Sequence, residues 1–330
     1  MRLHRALALG ASMLALVSAC TTGGGSTPAA SSAAPPSAAT QAPATSAPPS
    51  QAAAKPTIKI GSDGFYEAKL MAEIYGEALE ASGYTVDRTG IGIGARKVSA
   101  AALESGQFDL KPEYIGSGLA YYNPGAQGGD PAKNATALQT ALTPKAITVL
   151  NYSPAADQNA FVIRADTASQ YSLTKMSDLA AVQTKLKFGV ATDCPTNPIC
   201  KAALNTAYGL DLSKATLLSA CDTPMAQALL GKTIDVGELC STQPDIAVNG
   251  WVVLQDDKGT QPAENLAPLV RDDYLAKLGG DKDAFEKILN DVSAAMDTAT
   301  LTDLGKQVSV DKKDIAAVAK AWLQSKSLVK

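Results

Sequence analysis

Apolar and polar positions from residue 57 onwards fall into short blocks that switch regularly between strand and helix periodicity. "TIKIGS" (57–62) is a strand run that stops at Gly-Ser. From Tyr66 to Ser82 the apolar residues Leu70, Met71, Ile74, Tyr75, Ala78 and Leu79 recur three and four positions apart. That spacing predicts an amphipathic helix, closed by Gly83. "TVDRTGI" predicts a strand, "RKVSAAALESG" a short helix ending at Gly106, and "FDLKP" a strand that Pro112 ends. The helical "ATALQTAL" precedes two strands, "AITVLNY" and "AFVIRAD". Ser177 is placed to cap a helix "DLAAVQTKL", "KFGVAT" is a strand, "PICKAALNTAYG" is a helix, and Thr223 is placed to cap "TPMAQALLGK". "TIDVGEL" and "WVVLQDD" read as strands, and from Asp272 onward the pattern is mostly helical. Strands alternating with helices predict an α/β fold with largely parallel sheets. In such sheets ligands lie beyond the carboxyl ends of the strands.

That rule directs attention to two stretches. Asp63-Gly64-Phe65-Tyr66 follows the first strand, and Glu113-Tyr114-Ile115-Gly116-Ser117 follows Pro112. Each reads as a Gly-containing loop that presents an aromatic ring and an acid. Aromatic residues make up only 5% of the chain, yet Tyr114, Tyr121 and Tyr122 cluster here. A tyrosine face beside a carboxylate suits a cationic ammonium group; the plain alternative is that Phe65 and Tyr114 simply pack. "GIGIGARK" (90–97) lacks the spacing of a dinucleotide fingerprint. It reads as a strand-to-helix turn whose free amides, with Arg96, can touch a ligand.

The N-terminus changes the compartment. Arg2 and Arg5 precede an apolar run, Ala6 to Val17, and then small residues before Cys20. This is a secretory signal peptide (1–19), too short to span a bilayer. "VSAC" resembles a bacterial lipobox, in which the cysteine becomes the lipid-bearing first residue. The Ala/Ser/Pro/Thr/Gly tract that follows, up to residue 56, reads as a disordered tether. Charge and composition narrow the chemistry further. The formal net charge is −3, and losing the signal peptide removes Arg2 and Arg5, so nucleic acid is not an expected partner. The only histidine, His4, lies in that peptide, which removes His-based triads and His-ligated metals from the mature chain. No cofactor is expected.

Besides Cys20 the chain has Cys194, Cys200, Cys221 and Cys240. An even count in an exported domain reads as disulfides with three possible pairings. A local Cys194–Cys200 bridge would stiffen the loop "CPTNPIC" and leave Cys221 to pair with Cys240. A four-Cys zinc site is the alternative, without a Cys-x-x-Cys to support it.

Five blocks in order, behind the lipobox, carry a resemblance. They are "IGSDGFYEAKLMAEIYGEALEASG", "GARKVSAAALESGQFDLKPEYIGS", "DQNAFVIR", "KFGV…CPTNPIC…YGL" and "TIDVGELCSTQPDI…NGWVVLQDDKG…NLAPLVR". Together they are similar to the substrate-binding lipoproteins of ABC importers for quaternary amines such as glycine betaine, choline and carnitine. The resemblance implies a monomeric, two-lobed type-II periplasmic-binding-protein fold. Lobe 1 would comprise residues 57–160 and 251–330, and lobe 2 residues 161–250. The chain would cross near Asp157–Phe161 and return near Ile246–Leu254. A small-molecule solute would be captured in the interlobe cleft and passed to a membrane permease, with the protein held to the membrane by lipid on Cys20.

In relatives, aromatic side chains box a trimethylammonium head and basic groups hold a carboxylate tail. Here Tyr114 matches a box aromatic, Ser117 a hydroxyl of the same loop, and Asp157 to Asn159 the polar crossover segment. Asp63 stands where many relatives carry Lys, and Asn197 where Arg is frequent. Thr242 and Gln243 lie in "CSTQ", which replaces a segment that supplies a box tyrosine in some relatives. A buried ligand carboxylate without a cation is costly, so the departures point to a polar cation such as choline, with Arg96 the one group able to rescue a carboxylate. Two other classes remain at this point. One is a binding protein or receptor subunit for a different amino-acid-like solute. The other is an extracytoplasmic enzyme working through Asp63, Glu113 and Asp157.

Overall fold

The computed structural model describes residues 55–330; the signal peptide, Cys20 and the tether up to residue 54 lie outside the described residues. Lobe 1 is built on strands β1 (Ile58–Asp63), β2 (Val86–Gly94), β3 (Leu110–Tyr114) and β4 (Ile147–Val149). Lobe 2 follows with β5 (Asn159–Ile163), β6 (Phe188–Ala191), β7 (Thr216–Leu218), β8 (Val236–Cys240) and β9 (Val252–Val253). The chain then returns to the first sheet through β10 (Leu266–Arg271). The two sheets repeat one plan, β2-β1-β3-β10-β4 and β7-β6-β8-β5-β9. In each, four strands run in the same direction, and the one that enters from the other lobe, β10 or β5, lies antiparallel between two of them. The sheets are therefore largely parallel in strand direction, each with one antiparallel strand, because the crossover strands β5 and β10 arrive from the opposite direction.

Helix α1 (Tyr66–Ala81) is buried along most of its length. It packs between the sheet and the C-terminal helices Lys282–Ala295 and Ile315–Ser325, sharing a core with Phe285, Leu289 and Trp322. It ends as its sequence demands: Gly83 adopts φ +85° and its amide donates to the Glu80 carbonyl. Lobe 2 has its own core around Phe161, Leu204, Val236 and Leu254.

Several local expectations need correction. Pro112 does not end its strand; β3 runs on through Tyr114. Pro112 lies opposite Pro268 of β10. Directly opposed residues of an antiparallel pair alternate between bonded and non-bonded positions. Glu113 and Lys111 take the bonded ones, so two prolines facing each other cost the ladder nothing. The segment after β3 is a helix, α3 (Ile115–Tyr122), not a loop. The Gly116 and Ser117 amides of its first turn donate to Glu264 Oε2 at 3.2 and 3.0 Å. Gly116 is required there, since a Cβ would sit 2.5 Å from the Ala263 carbonyl oxygen.

The run "AFVIRAD" turns helical after Arg164, and "DLAAVQTKL" forms 3-10 turns, with Lys175 and Asp178 rather than Ser177 at its start. Helix Thr223–Leu230 is capped by Asp222, not Thr223. The return crossing also falls later than the Ile246–Leu254 expectation. β9 pairs with β5 inside lobe 2, so the chain leaves that lobe only after Leu254. The outgoing and returning segments touch at an Ala156–Asn265 bridge, so that two strands of chain join the lobes side by side.

Candidate functional site

Carboxyl ends of strands from both sheets face one cleft. It encloses a cavity of about 250 Å³, smaller than a drug-sized pocket. Lobe 1 supplies Asp63 and Phe65 after β1, Arg96 at the start of helix α2 (Arg96–Glu104), and Tyr114 and Ser117 at the β3–α3 junction. The crossover segments supply Asp157, Asn159 and Glu264. Lobe 2 supplies Asp193 and Asn197 after β6, the stretch Ser219 to Asp222 after β7, and Glu238 and Cys240 from β8. Eight of the ten residues expected to bind ligand from the sequence thus share one cavity: Asp63, Phe65, Arg96, Tyr114, Ser117, Asp157, Asn159 and Asn197. Thr242 and Gln243 are not among its lining residues. Both are buried one layer back, where Thr242 bonds Glu67 and Gln243 bonds Asp245.

The aromatic wall is one-sided. Phe65 and Tyr114 stack at 5.7 Å between ring centroids, and the lobe 2 lining contains no aromatic residue among those described. Lobe 2 presents two disulfides instead. Cys221–Cys240 lines the cleft, and Cys194–Cys200 clamps the loop that carries Asn197. These are the pairings expected from the sequence.

Charge is the dominant feature. Lys111, fully buried in β3, bonds Glu113 at 2.6 Å and Asp63 at 3.1 Å. Arg96 bonds Glu113 through Nε at 3.1 Å and Ser117 Oγ through Nη2 at 2.5 Å. Asp63 also accepts a short hydrogen bond from Ser99. Two cations and two acids are therefore consumed within lobe 1. Burial works against the Glu113 carboxylate, but Arg96 and Lys111 outweigh it and hold its pKa below the usual range. Arg96 remains firmly charged, because Glu113, Asp63 and Glu264 outweigh its own desolvation.

The other lining acids, Asp157, Asp193, Asp222, Glu238 and Glu264, form no salt bridge with any described Lys or Arg. Burial pushes Glu238, whose Oε2 accepts from the Ala191 amide at 2.8 Å, up to about 7. Burial also lifts Glu264 to about 8, against the opposing pull of Arg96 and the Ser117 amide. Asp157 is raised as well, chiefly by burial. Glu238, Asp193, Asp222 and Glu264 were not singled out from the sequence. The one usable signal was Glu238, a carboxylate set inside the apolar strand run "TIDVGEL".

Comparison with known proteins agrees with this architecture. Residues 56–325 match the family model for the substrate-binding domain of ABC-type glycine betaine transport systems. The chain is similar to the glycine betaine-binding protein YehZ of Escherichia coli, 28% identical over 295 residues, covering 84% of this chain and 93% of that protein. A glycine-betaine-binding protein of Pseudomonas aeruginosa is 24% identical over 282 residues, covering 83% of this chain and 89% of the relative. Among solved structures, that of a glycine betaine/carnitine/choline ABC transporter protein superposes with a TM-score of 0.63 at 21% identity, over 82% of this chain and 99% of that one. The fold is thus that of the two-lobed periplasmic binding proteins, and the chain belongs to the family of substrate-binding domains of ABC-type glycine betaine transport systems.

Proposed function

We propose that this substrate-binding domain captures a compact organic cation that carries no carboxylate, with choline as the simplest probe. The observation that carries the reading is the charge imbalance of the cleft. Five lining acids form no salt bridge among the described residues, while Arg96 already bonds Glu113 and Ser117. A cation entering this cavity supplies the missing charge, and Phe65 and Tyr114 offer it a π-face. A second reading, glycine betaine, is favoured by Arg96 alone and by what the two relatives are named for. It requires Arg96 to exchange partners inside the cleft. The family is one of binding proteins, so the carboxylate-enzyme alternative falls away.

A thermal-shift panel tests the reading. At a hundredfold excess over Kd, a ligand specific to the folded state adds about 2.7 kcal/mol. Choline should therefore raise Tm by several degrees at pH 8. A shift with glycine betaine and none with choline contradicts the proposal.

The raised carboxyls add a pH signature. Glu238 and Glu264 bind protons in the folded state, near about 7 and about 8, above the pH at which they do so in the unfolded chain. Their contribution to stability is therefore fully present at low pH and is lost as pH rises through those values. A bound cation favours the ionised form. The choline-induced Tm shift should grow between pH 6 and pH 8.5, while the Tm of the ligand-free protein falls. A shift that shrinks with rising pH would show that the ligand does not meet these carboxylates as a cation.

For the whole protein, we infer export by the signal peptide, lipid anchoring through Cys20 and a monomeric domain delivering solute to a membrane permease. The "VSAC" sequence and the uncharged tract after it support the anchor. Metabolic labelling with a fatty-acid analogue, lost in Cys20→Ala, tests it.

A further inference from the structure

Behind the wall formed by Tyr114 lies a buried polar cluster that joins the two lobes. Glu67 sits in the first turn of α1 and is 1% exposed. Its Oε1 accepts from the Tyr114 hydroxyl at 2.6 Å, and its Oε2 accepts from the Thr242 hydroxyl at 2.7 Å. Tyr114 ends β3 in lobe 1, whereas Thr242 follows β8 in lobe 2. Glu67 therefore hydrogen-bonds across the lobe boundary. The Thr242 amide donates to Asp157 Oδ1 at 2.9 Å, and Ser241 Oγ donates to the same oxygen at 3.0 Å. Asp157 Oδ2, by contrast, is buried without a hydrogen-bond donor among the described residues.

An unsatisfied oxygen on a buried carboxylate is costly. Two buried carboxylates gathered around one residue, with no cation between them, are costlier still. Glu67 and Asp157 converge on Thr242, whose hydroxyl donates to the one and whose amide donates to the other, and neither forms a salt bridge among the described residues. The groups that face Glu67 are Tyr66 on its own helix, Tyr114 from the end of β3, Asp157 from the crossover and Thr242 from lobe 2, with Asp245 acting on Tyr66. None of them is a cation. A single proton on Glu67 resolves both problems, since it removes one charge and supplies the donor that Asp157 Oδ2 lacks.

We propose that Glu67 is a positioning residue that works as a neutral carboxylic acid: it donates to Asp157 Oδ2, accepts from Tyr114 and Thr242, and so latches the two lobes behind the ligand wall. Burial, and then the charge of Asp157, push the Glu67 carboxyl well above its ordinary range, in agreement with the geometry. The latch fixes the Tyr114 ring through its hydroxyl and ties that ring to the lobe that must close over the ligand. It gives Thr242, which does not line the cleft, a part in binding. Its ligand-dependent consequences rest on the cation-binding reading above; the protonation state does not.

The infrared spectrum of the ligand-free protein at about pH 9.5 tests protonation directly, because Glu238 and Glu264 have ionised by then. The wild type should keep a protonated-carboxyl C=O band that disappears in Glu67→Gln, or shifts in Asp157→Asn if the first variant does not fold. A spectrum with no such band overturns the proposal. Stopped-flow dissociation of choline tests the latch. Thr242→Val and Glu67→Ala should each speed release by about tenfold, the effect of losing a charge-assisted or buried hydrogen bond. Thr242→Ser and Glu67→Gln should recover most of it. Thr242→Val that lowers Tm without changing the dissociation rate would make the residue merely structural and overturn the latch. Complete absence of choline binding by the wild type would sink the choline reading, and the infrared result would still decide the state of Glu67.

Discussion

Tyr114→Ala should weaken choline binding by roughly 30-fold, the equivalent of the ~2 kcal/mol that a desolvated cation–π contact contributes. No other aromatic change should cost as much. Lobe 2 offers no ring among its described lining residues, and Phe65 is only partly buried, so Tyr114 holds the more enclosed side of the wall. Tyr114→Phe separates the two roles of the side chain. It keeps the π-face but loses the hydroxyl that donates to Glu67 at 2.6 Å, a loss of about 1 kcal/mol, or about fivefold in affinity. Removing a large buried side chain also costs about 3–5 kcal/mol of stability, so affinity should be read by calorimetry on protein shown by circular dichroism to be folded. Unchanged choline affinity in Tyr114→Ala would make the ring scaffold rather than site.

Replacing both Cys221 and Cys240 by serine should lower stability by about 3 kcal/mol, since the bridge closes a loop of 19 residues. The effect on binding distinguishes this bridge from an ordinary staple. Ser219, Ala220 and Asp222 reach the cleft from the segment that Cys221 anchors, and Cys221 itself holds a left-handed φ of +55°. Without the bridge, the cost of ordering that segment falls on ligand binding, and choline affinity should drop on the order of tenfold. Denaturant titration and calorimetry on the double variant check the two effects separately. A loss of stability with undiminished affinity would place the bridge outside recognition.

How much of this was legible in the chain follows from what each signal depends on. β1, β6 and β8 are short apolar runs beside glycine, and helix α1 has a clear face, so periodicity alone finds them. β10 was hidden because "LAPLVR" is buried on both faces, shows no alternation and contains a proline, which its partner strand accommodates with a proline of its own. Helix α3 was read as a loop for its two glycines. It is held by a carboxylate from the return crossing and by burial against it, which are tertiary facts. β9 was overread, since only Val252 and Val253 of "WVVLQDD" form a strand, with Gln255 adding an isolated bridge to Lys175.

Most of the expected site residues follow strand ends or lie on the outgoing crossover, whereas those missed include a strand interior, the returning crossover, and Asp193 and Asp222 on the lobe 2 loops. Asp63, Arg96, Tyr114 and Asn197 belong to the first kind. Glu238 and Glu264 belong to the second, and their exposure to the cleft is set by how the two sheets face each other. The missing basic anchors, by contrast, were visible in the sequence. The family resemblance placed cations at the positions of Asp63 and Asn197, and the structure pairs Asp63 with Lys111.

The cleft is proposed to recognise positive charge and, among the described residues, to hold no unpaired cation for a carboxylate. Isothermal titration calorimetry with choline and with glycine betaine, at pH 8 and in two buffers of different ionisation enthalpy, tests it most directly. Choline should bind at least about tenfold more tightly, because burying the betaine carboxylate without a free partner is costly, and its binding should release protons from Glu238 and Glu264. Tighter binding of glycine betaine, or choline binding that takes up protons, would contradict it.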